Sequence, residues 1–468
     1  MEFKDLREMK DALTPCMEID RGVTLRKGST VPPAVVDRLA WTAVFSSDAG
    51  LRDAARYLIR EAASARGAFV ASIQLLYDAM GRGECGGFTV PAINIRGMTY
   101  DVARAVMRSA RALEVGTVIF EIARSEMGYT EQRPAEYAAA VLAAALREDW
   151  RGPVFIQGDH FQMNAKKFAR DPDAERSAIM KLIEESVPAG FLNIDIDTST
   201  LVDLSRPTIT EQQRLNFELA AEFTRAIRRL EPKGVTISVG GEIGEVGGKN
   251  STPQELEAYM DGYIGALSAG GGRPKGISKI SVQTGTTHGG IPLPDGRIAE
   301  VKLDFEALRT LSEIARKSYG MAGAVQHGAS TLPEEAFDHF PAMGTAEIHL
   351  ATGFQNIILD HDAFPADLRA EIRAHLSQSC ADERKPGMTE EQFLYKTRKK
   401  CFGPFKRRMW ELPASVRSLM ARDLEARFEL LFRKLNVAGN SGLTNSKIPK
   451  VAVPAPVPAS LANTSGRR

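Results

Sequence analysis

Seven histidines are spread along this chain, and three of them close apolar segments: Asp159-His160, Thr287-His288-Gly289 and Gln326-His327-Gly328. Neutral imidazoles suit Zn²⁺, and three protein ligands leave one coordination position open for a substrate. One histidine in such a place is usually a hydrogen-bonded rim residue. Three in the same context, each next to glycine or aspartate, point to a metal. Glu242 closes a further segment and offers a carboxylate, either as a ligand or as a partner of one. His339, His361 and His375 lack this setting. His349 lies inside an apolar segment that runs to Thr352, and both are assigned to a substrate pocket. In Gly285-Thr286-Thr287-His288-Gly289-Gly290 and His327-Gly328-Ala329-Ser330 small residues flank a ligand candidate. Such loops let backbone N–H groups approach an anion closely. A metal beside an oxyanion pocket is the chemistry these residues describe.

The elements that must bring them together recur eight times. Short β-rich segments fall at 89–95, 117–123, 154–160, 191–197, 236–244, 277–288, 323–330 and 346–352, with helical periodicity between them. Val102, Val106, Ala110 and Leu113, for example, recur at three- and four-residue spacing. Alternating strands and helices imply right-handed crossovers and a parallel sheet. Eight such units favour a closed α/β barrel, the (β/α)₈ or TIM barrel, in which catalytic groups gather at the C-terminal strand ends. The organisation expected is a helical N-terminal extension (1–86), the barrel (87–362), a helical C-terminal extension (363–435) and a disordered tail (436–468). The tail is rich in Gly, Ser, Asn, Ala and Pro and carries little to bury. The basic stretch Lys396-Thr397-Arg398-Lys399-Lys400 with Lys406-Arg407-Arg408 reads as a solvated helix face.

Composition bounds the partners. With 43% apolar and 25% charged residues and a net charge of +1, nothing points to nucleic acid or an anionic membrane. The longest apolar runs are too short to span a bilayer. The charged opening Met1-Glu2-Phe3-Lys4-Asp5 has no signal core. The four cysteines are scattered without a CxxC pair, which suggests reduced thiols and a cytoplasmic setting.

Together these residues resemble the class II fructose-bisphosphate aldolase family over roughly Gly87 to Asp360. The likeness rests on Gly158-Asp159-His160, Gly190-Phe191 through Ile196-Asp197, Gly241-Glu242-Ile243-Gly244, Gly285-Thr286-Thr287-His288-Gly289, Lys302-Leu303-Asp304-Phe305 and His327-Gly328-Ala329-Ser330. The resemblance implies Zn²⁺ on His160, His288 and His327. It implies Asp159 as the group exchanging a proton with the substrate hydroxyl, and Asn94, Gly289, Gly328 and Ser330 as substrate contacts. A homodimer or homotetramer in carbohydrate metabolism, in the glycolytic manner, is implied as well. A weaker likeness, through Val118-Ile119-Phe120-Glu121 and Gly158-Asp159-His160, is to the zinc-less companion subunit of tagatose-bisphosphate aldolase.

The chain also departs from the family. Lys249-Asn250 stand where an acidic mobile loop is expected. His349-Leu350-Ala351-Thr352-Gly353 replace Asn-Ile-Asp-Thr-Asp, and Gly290-Ile291-Pro292 replace a lysine. The expected reaction is cleavage or formation of a C–C bond in a (phosphorylated) ketose, giving a dihydroxyacetone-phosphate-type enediolate and an aldehyde. A divalent metal polarises the carbonyl, and Asp159 works at the hydroxyl. Asn250 cannot supply the second proton, so Glu245, Glu121, His349 or water must. Weaker phosphate binding and an altered aldehyde preference follow from these departures, with Arg124 as a candidate replacement cation. Another zinc-dependent lyase or hydrolase, with Asp159 as base, and a non-catalytic partner subunit are the alternatives. Because strand side chains alternate, Asp159 and His160 are expected to point in different directions.

Overall fold

The computed structural model describes residues 1–19, 22–244, 249–272, 274–285, 293 and 303–462. Two short strands, β1 (Met17–Ile19) and β2 (Val23–Leu25), form an antiparallel pair, and β3 (Ala68–Ala71) follows. The barrel is then β4 (Val90–Asn94), β5 (Ile119–Ala123), β6 (Gly152–Gln162), β7 (Asn193–Asp197), β8 (Ser238–Glu242), β9 (Lys279–Val282), β10 (Ala324–Gln326) and β11 (Glu347–Leu350). Each pairs in parallel with the next, β11 pairs with β4, and β6 pairs with β7, so the sheet closes on itself. All eight expected segments are strands of a (β/α)₈ barrel. β4, β5 and β7 are buried along their whole length, as parallel strands between helices and a filled interior should be.

The connecting helices have local causes. Thr208 caps Ile209–Leu230 and Thr252 caps Pro253–Ala269, each with a glutamate three residues on that returns to the cap. In Thr99–Ala112 the buried Val102, Val106 and Ala110 form the expected stripe.

The sequence did not announce β3, which extends the sheet by pairing with the start of β6. Nor did it announce how the N-terminal region closes the barrel floor. Ile73 N–H donates to the Asn193 side chain (2.9 Å) and Ser238 N–H to Ser72 Oγ (3.0 Å). Tyr77, on helix Gln74–Gly81, donates to Glu347. Asn193, Ser238 and Glu347 are the first residues of their strands, so this helix lies across the N-terminal end of the barrel.

The tail is a correction. Residues 436–462 are placed and packed rather than disordered. Helix Ser441–Lys447 buries Thr444, and Val437, Ile448 and Leu461 are buried. Arg60 donates to Val453 O (3.0 Å), Lys450 to Ser64 O (2.9 Å), and Ser460 to Gly50 O (2.8 Å). A proline-rich strap has less backbone entropy to lose on ordering, and it exchanges hydrogen bonds in both directions with the helix Ala49–Arg66. An aromatic cluster of Trp41, Phe45, Tyr100 and Trp410 joins the N- and C-terminal extensions.

Candidate metal centre and catalytic pocket

The polar face of the barrel mouth begins at β6. Between Gly158 and Phe161 the pairing register with β7 shifts, and His160 takes a positive φ of 39°. This bulge breaks the alternation expected of a strand, so Asp159 and His160 line the same cavity instead of pointing apart. Gly158 is required there: a Cβ would lie 2.3 Å from the Phe161 ring.

Around His160 the carboxylates crowd. Its Nδ1 is 2.9 Å from Glu242 Oε2 and 3.1 Å from Asp197 Oδ2, and its Nε2 is 3.6 Å from Asp159 Oδ1. Burial alone would lower the His160 pKa, but Asp159 and Glu242 hold it well above the ordinary imidazole value. Burial, with Asp197 adding, pushes Glu242 up to about 7. Asp197 is itself oriented by Gln162 and by Ser199, whose hydroxyl donates at 2.7 Å. Its carboxyl stays below the usual range because the His160 contact and these donors outweigh burial. Asp197 is thus the outer carboxylate that fixes a ligand's ring orientation.

His327 stands with its ring centroid 4.1 Å from those of both His160 and His349. One ligand atom each from His160, Glu242 and His327 lie within 4.8 Å of one another. This mixed imidazole and carboxylate set fits a divalent transition metal. The structure therefore brings together three of the four expected ligands. His288, Glu245 and Gly289 fall outside the described residues.

The expected substrate residues gather above this cluster. A cavity of about 520 Å³ is lined by Asn94, Asp159, Gly328, Ser330, His349 and Thr352 among others. That size suits a small metabolite. Asn94 donates to Glu126 (2.6 Å) and reaches Asp159 Oδ2 at 3.4 Å. Ser330 Oγ accepts from Ala351 N–H (2.6 Å), and Thr352 Oγ1 accepts from Arg96 (3.2 Å). Asn250, in the changed loop, donates to Asp304 (3.2 Å).

Two features were missed by the sequence reading. The barrel interior holds a charged lattice where branched aliphatic side chains usually dominate. Lys279, 1% exposed, contacts Asp195 Oδ2 (2.9 Å), Gln157 Oε1 (2.8 Å) and Glu347. Room for the pair comes from Gly240, where a Cβ would sit 2.3 Å from Asp195 Oδ1. Lys279 and His349 hold Glu347 well below the usual carboxylate range despite burial. The signal was the spacing: Gln157/Asp159, Asp195/Asp197 and Glu347/His349 are polar pairs two residues apart, hence on one face of a strand.

The second missed feature is Lys399. The basic stretch is not a simple solvated face. Arg398 pairs with Asp360 (2.7 Å), Lys406 with Glu136 (2.7 Å) and Arg408 with Glu371 (3.0 Å), while Lys399 enters the catalytic cavity. Its ammonium lies 5.7 Å from the Tyr129 ring centroid, and burial together with Arg96 lowers its pKa. Arg96 and Arg124 also line the cavity but pair with Glu126 and Glu175, so Arg124 is already engaged. Among the described residues no carboxylate pairs with Lys399.

Comparison with known proteins agrees with this geometry. A family model described as "Fructose-bisphosphate aldolase class-II" matches residues 76–409. No curated protein matches the chain. Among solved structures, a probable tagatose 6 phosphate kinase from Sinorhizobium meliloti 1021 is similar in fold. Its TM-score is 0.51 at 19% identity, over 80% of this chain and 96% of that one. A fructose-bisphosphate aldolase from Campylobacter jejuni is similar at 18% identity over 80% of this chain and 96% of that one, with a TM-score of 0.47. An aldolase from Escherichia coli K12 is similar at 14% identity over 79% of this chain and 99% of that one, also with a TM-score of 0.47.

Proposed function

Because the chain belongs to the class II fructose-bisphosphate aldolase family and is a metal-dependent aldolase, we propose that it uses Zn²⁺ to cleave or form a C–C bond in a phosphorylated ketose. The observation that carries this reading is the convergence of His160, Glu242 and His327 beside Asp159 at the mouth of a closed barrel. A divalent ion there supplies a Lewis acid for the ketose carbonyl. His160 and His327 would hold it, with His288 as the third imidazole and Glu242 as the nearby carboxylate.

The chain's own residues do the rest. Asp159 takes the proton from the hydroxyl on the far side of the breaking bond. Asn94 Nδ2, 3.4 Å from Asp159 Oδ2, would orient the carboxylate for that transfer. Glu121, pushed up to about 7 by burial and by Asp159, is a candidate to return a proton near neutral pH, alongside Glu245 and His349. An acid poised near the working pH is what such a step needs. Gly328 and Ser330 supply one anion pocket, and Lys399 supplies a cation to the same cavity. A pocket cation without a paired carboxylate supports an anionic substrate.

The test is a cleavage screen over fructose 1,6-bisphosphate, tagatose 1,6-bisphosphate, ketose monophosphates and unphosphorylated ketoses, with metal analysis of the purified chain. We expect an aldehyde and a ketone as products, sensitive to chelators and restored by Zn²⁺. Failure to release an aldehyde from any of them, with metal bound, refutes the reading. His160→Ala and His327→Ala are each expected to lower metal content and cleavage together.

A further inference from the structure

Glu126 sits in the catalytic cavity with no part in the aldolase reading. It belongs to the short helix Arg124–Tyr129 that follows β5, is 5% exposed, and lines the same cavity as Asn94 and Asp159. Both of its oxygens are met by donors. Oε2 accepts from Ala123 N–H (2.8 Å) and from Asn94 Nδ2 (2.6 Å). Oε1 accepts from Arg96 Nε (2.7 Å), with the Tyr129 hydroxyl at 3.4 Å. Arg96 is tied in turn to Thr352 Oγ1 (3.2 Å) and Gln355 Oε1 (3.0 Å). The carboxylate is thus held from its own turn, from the end of β4 and, through Arg96, from the helix Thr352–Asp360.

An amide side chain can sit two ways round, half a turn apart. A carboxylate only accepts, so Glu126 admits one of them, with the –NH₂ end of Asn94 facing it. Asn94 Oδ1 accepts no hydrogen bond among the described residues, so the orientation is set from the nitrogen end. The same nitrogen is 3.4 Å from Asp159 Oδ2. Nδ2 carries two hydrogens, one for each carboxylate. Turned the other way, Asn94 would set a carbonyl oxygen against Asp159, acceptor against acceptor. An ion pair with Arg96 would occupy Oε1 alone; Oε2 serves Asn94 and the turn that holds Glu126 in place.

We propose that Glu126 is a positioning residue for the proton-transfer step: it fixes the Asn94 amide with its nitrogen toward Asp159, and Arg96 holds Glu126 in register. The proposal rests on the aldolase reading, in which Asp159 takes the substrate proton. Glu126 acts through Asn94 and not on the substrate.

The test is a double-substitution cycle on the full chain loaded with Zn²⁺, using the ketose cleaved fastest in the screen. Glu126→Gln keeps the shape, and its single oxygen goes to the Arg96 cation, the stronger donor, which turns an –NH₂ toward Asn94. We expect kcat to fall at least about tenfold, with KM within about twofold and metal content unchanged. In an Asn94→Ala background the same substitution is expected to change kcat by less than about twofold, because the group it acts through is gone. Glu126→Asp keeps the charge for Arg96 but withdraws it from Asn94 by one methylene. It is expected to lower kcat in the same way, and it decides the matter where Glu126→Gln fails to fold. An unchanged kcat overturns the proposal. So do equal losses with and without Asn94, since a merely structural Glu126 would damage both backgrounds alike. A second arm needs no substrate. With isotope-labelled asparagine followed by NMR, the side-chain amide signals missing from Asn94→Ala are expected to shift in both Glu126→Gln and Asp159→Asn. Signals that either substitution leaves unmoved overturn the proposal. Signals that shift in a chain releasing no aldehyde from any ketose would leave the orientation of Asn94 standing and remove the aldolase reading alone.

Discussion

Replacing Lys279 by methionine keeps the volume of the side chain and removes its charge from the centre of the barrel. The ammonium is 1% exposed and serves two carboxylates, Asp195 at 2.9 Å and Glu347 closer still. Breaking one buried ion pair by removing a partner typically costs about 3–5 kcal/mol, because the other charge stays buried and unpaired. Two carboxylates are stranded here, so the upper part of that range is expected at pH 8. Against a total stability on the order of 5–15 kcal/mol, the variant should fold but lose a large part of its margin.

The penalty has a defined pH dependence. Without Lys279 the native pKa of Asp195, already raised by burial, rises further, and that of Glu347 rises from its depressed value. A carboxyl whose folded pKa is raised gives stability that is present at low pH and lost as pH rises through that folded value. The gap between variant and wild type should therefore narrow as pH falls from 8 toward 5. Equilibrium urea unfolding at several pH values, followed by tryptophan fluorescence, measures it. Adding Glu347→Gln to the variant should recover part of the loss, since it removes one stranded charge. A Lys279→Met protein within about 1 kcal/mol of wild type at pH 8, with no pH trend, would show that the lattice is not held by this ion pair.

Asp159→Asn should lower cleavage at least about 100-fold, the usual scale for losing a general acid–base group, while the ion at His160 and His327 stays bound; unchanged turnover in single-turnover kinetics would remove Asp159 from the mechanism. Lys399→Ala should raise KM for a bisphosphate more than for an unphosphorylated ketose, leaving kcat for the latter within about twofold; equal effects on both would mean that Lys399 does not contact the anionic group. The metal-stripped chain should lose thermal stability as pH rises from about 5 to 8. Glu121 and Glu242 are raised to about 7, chiefly by burial, while carboxylates beside His160 and His349 raise both imidazoles, so all four favour the folded state more at low pH. Added Zn²⁺ should flatten that profile, and a stability that climbs over the same range in the stripped chain would contradict it.

The sequence alone determined the barrel and the identity of its reactive mouth. Eight apolar segments at helix-length intervals have few ways to bury themselves, and a closed parallel sheet places their ends together whatever the loops do. Hence Asp159, His160, Glu242 and His327 could be picked out as neighbours before any distance was known. Strand periodicity could not show that Asp159 and His160 share a face. That depended on a register shift and a positive φ at His160, which are set by packing between β6 and β7. Nor could local composition show that residues 436–462 would pack, because the partners of that strap are Arg60, Ser64 and Gly50, between 386 and 410 residues away. Lys399 resembled its basic neighbours until the C-terminal helices turned it alone into the cavity. The charged lattice around Lys279 was written as polar residues two apart on separate strands, but only barrel closure brings those strands within ion-pair reach. Local periodicity sets which face a residue takes, and contacts between distant segments decide what that face meets.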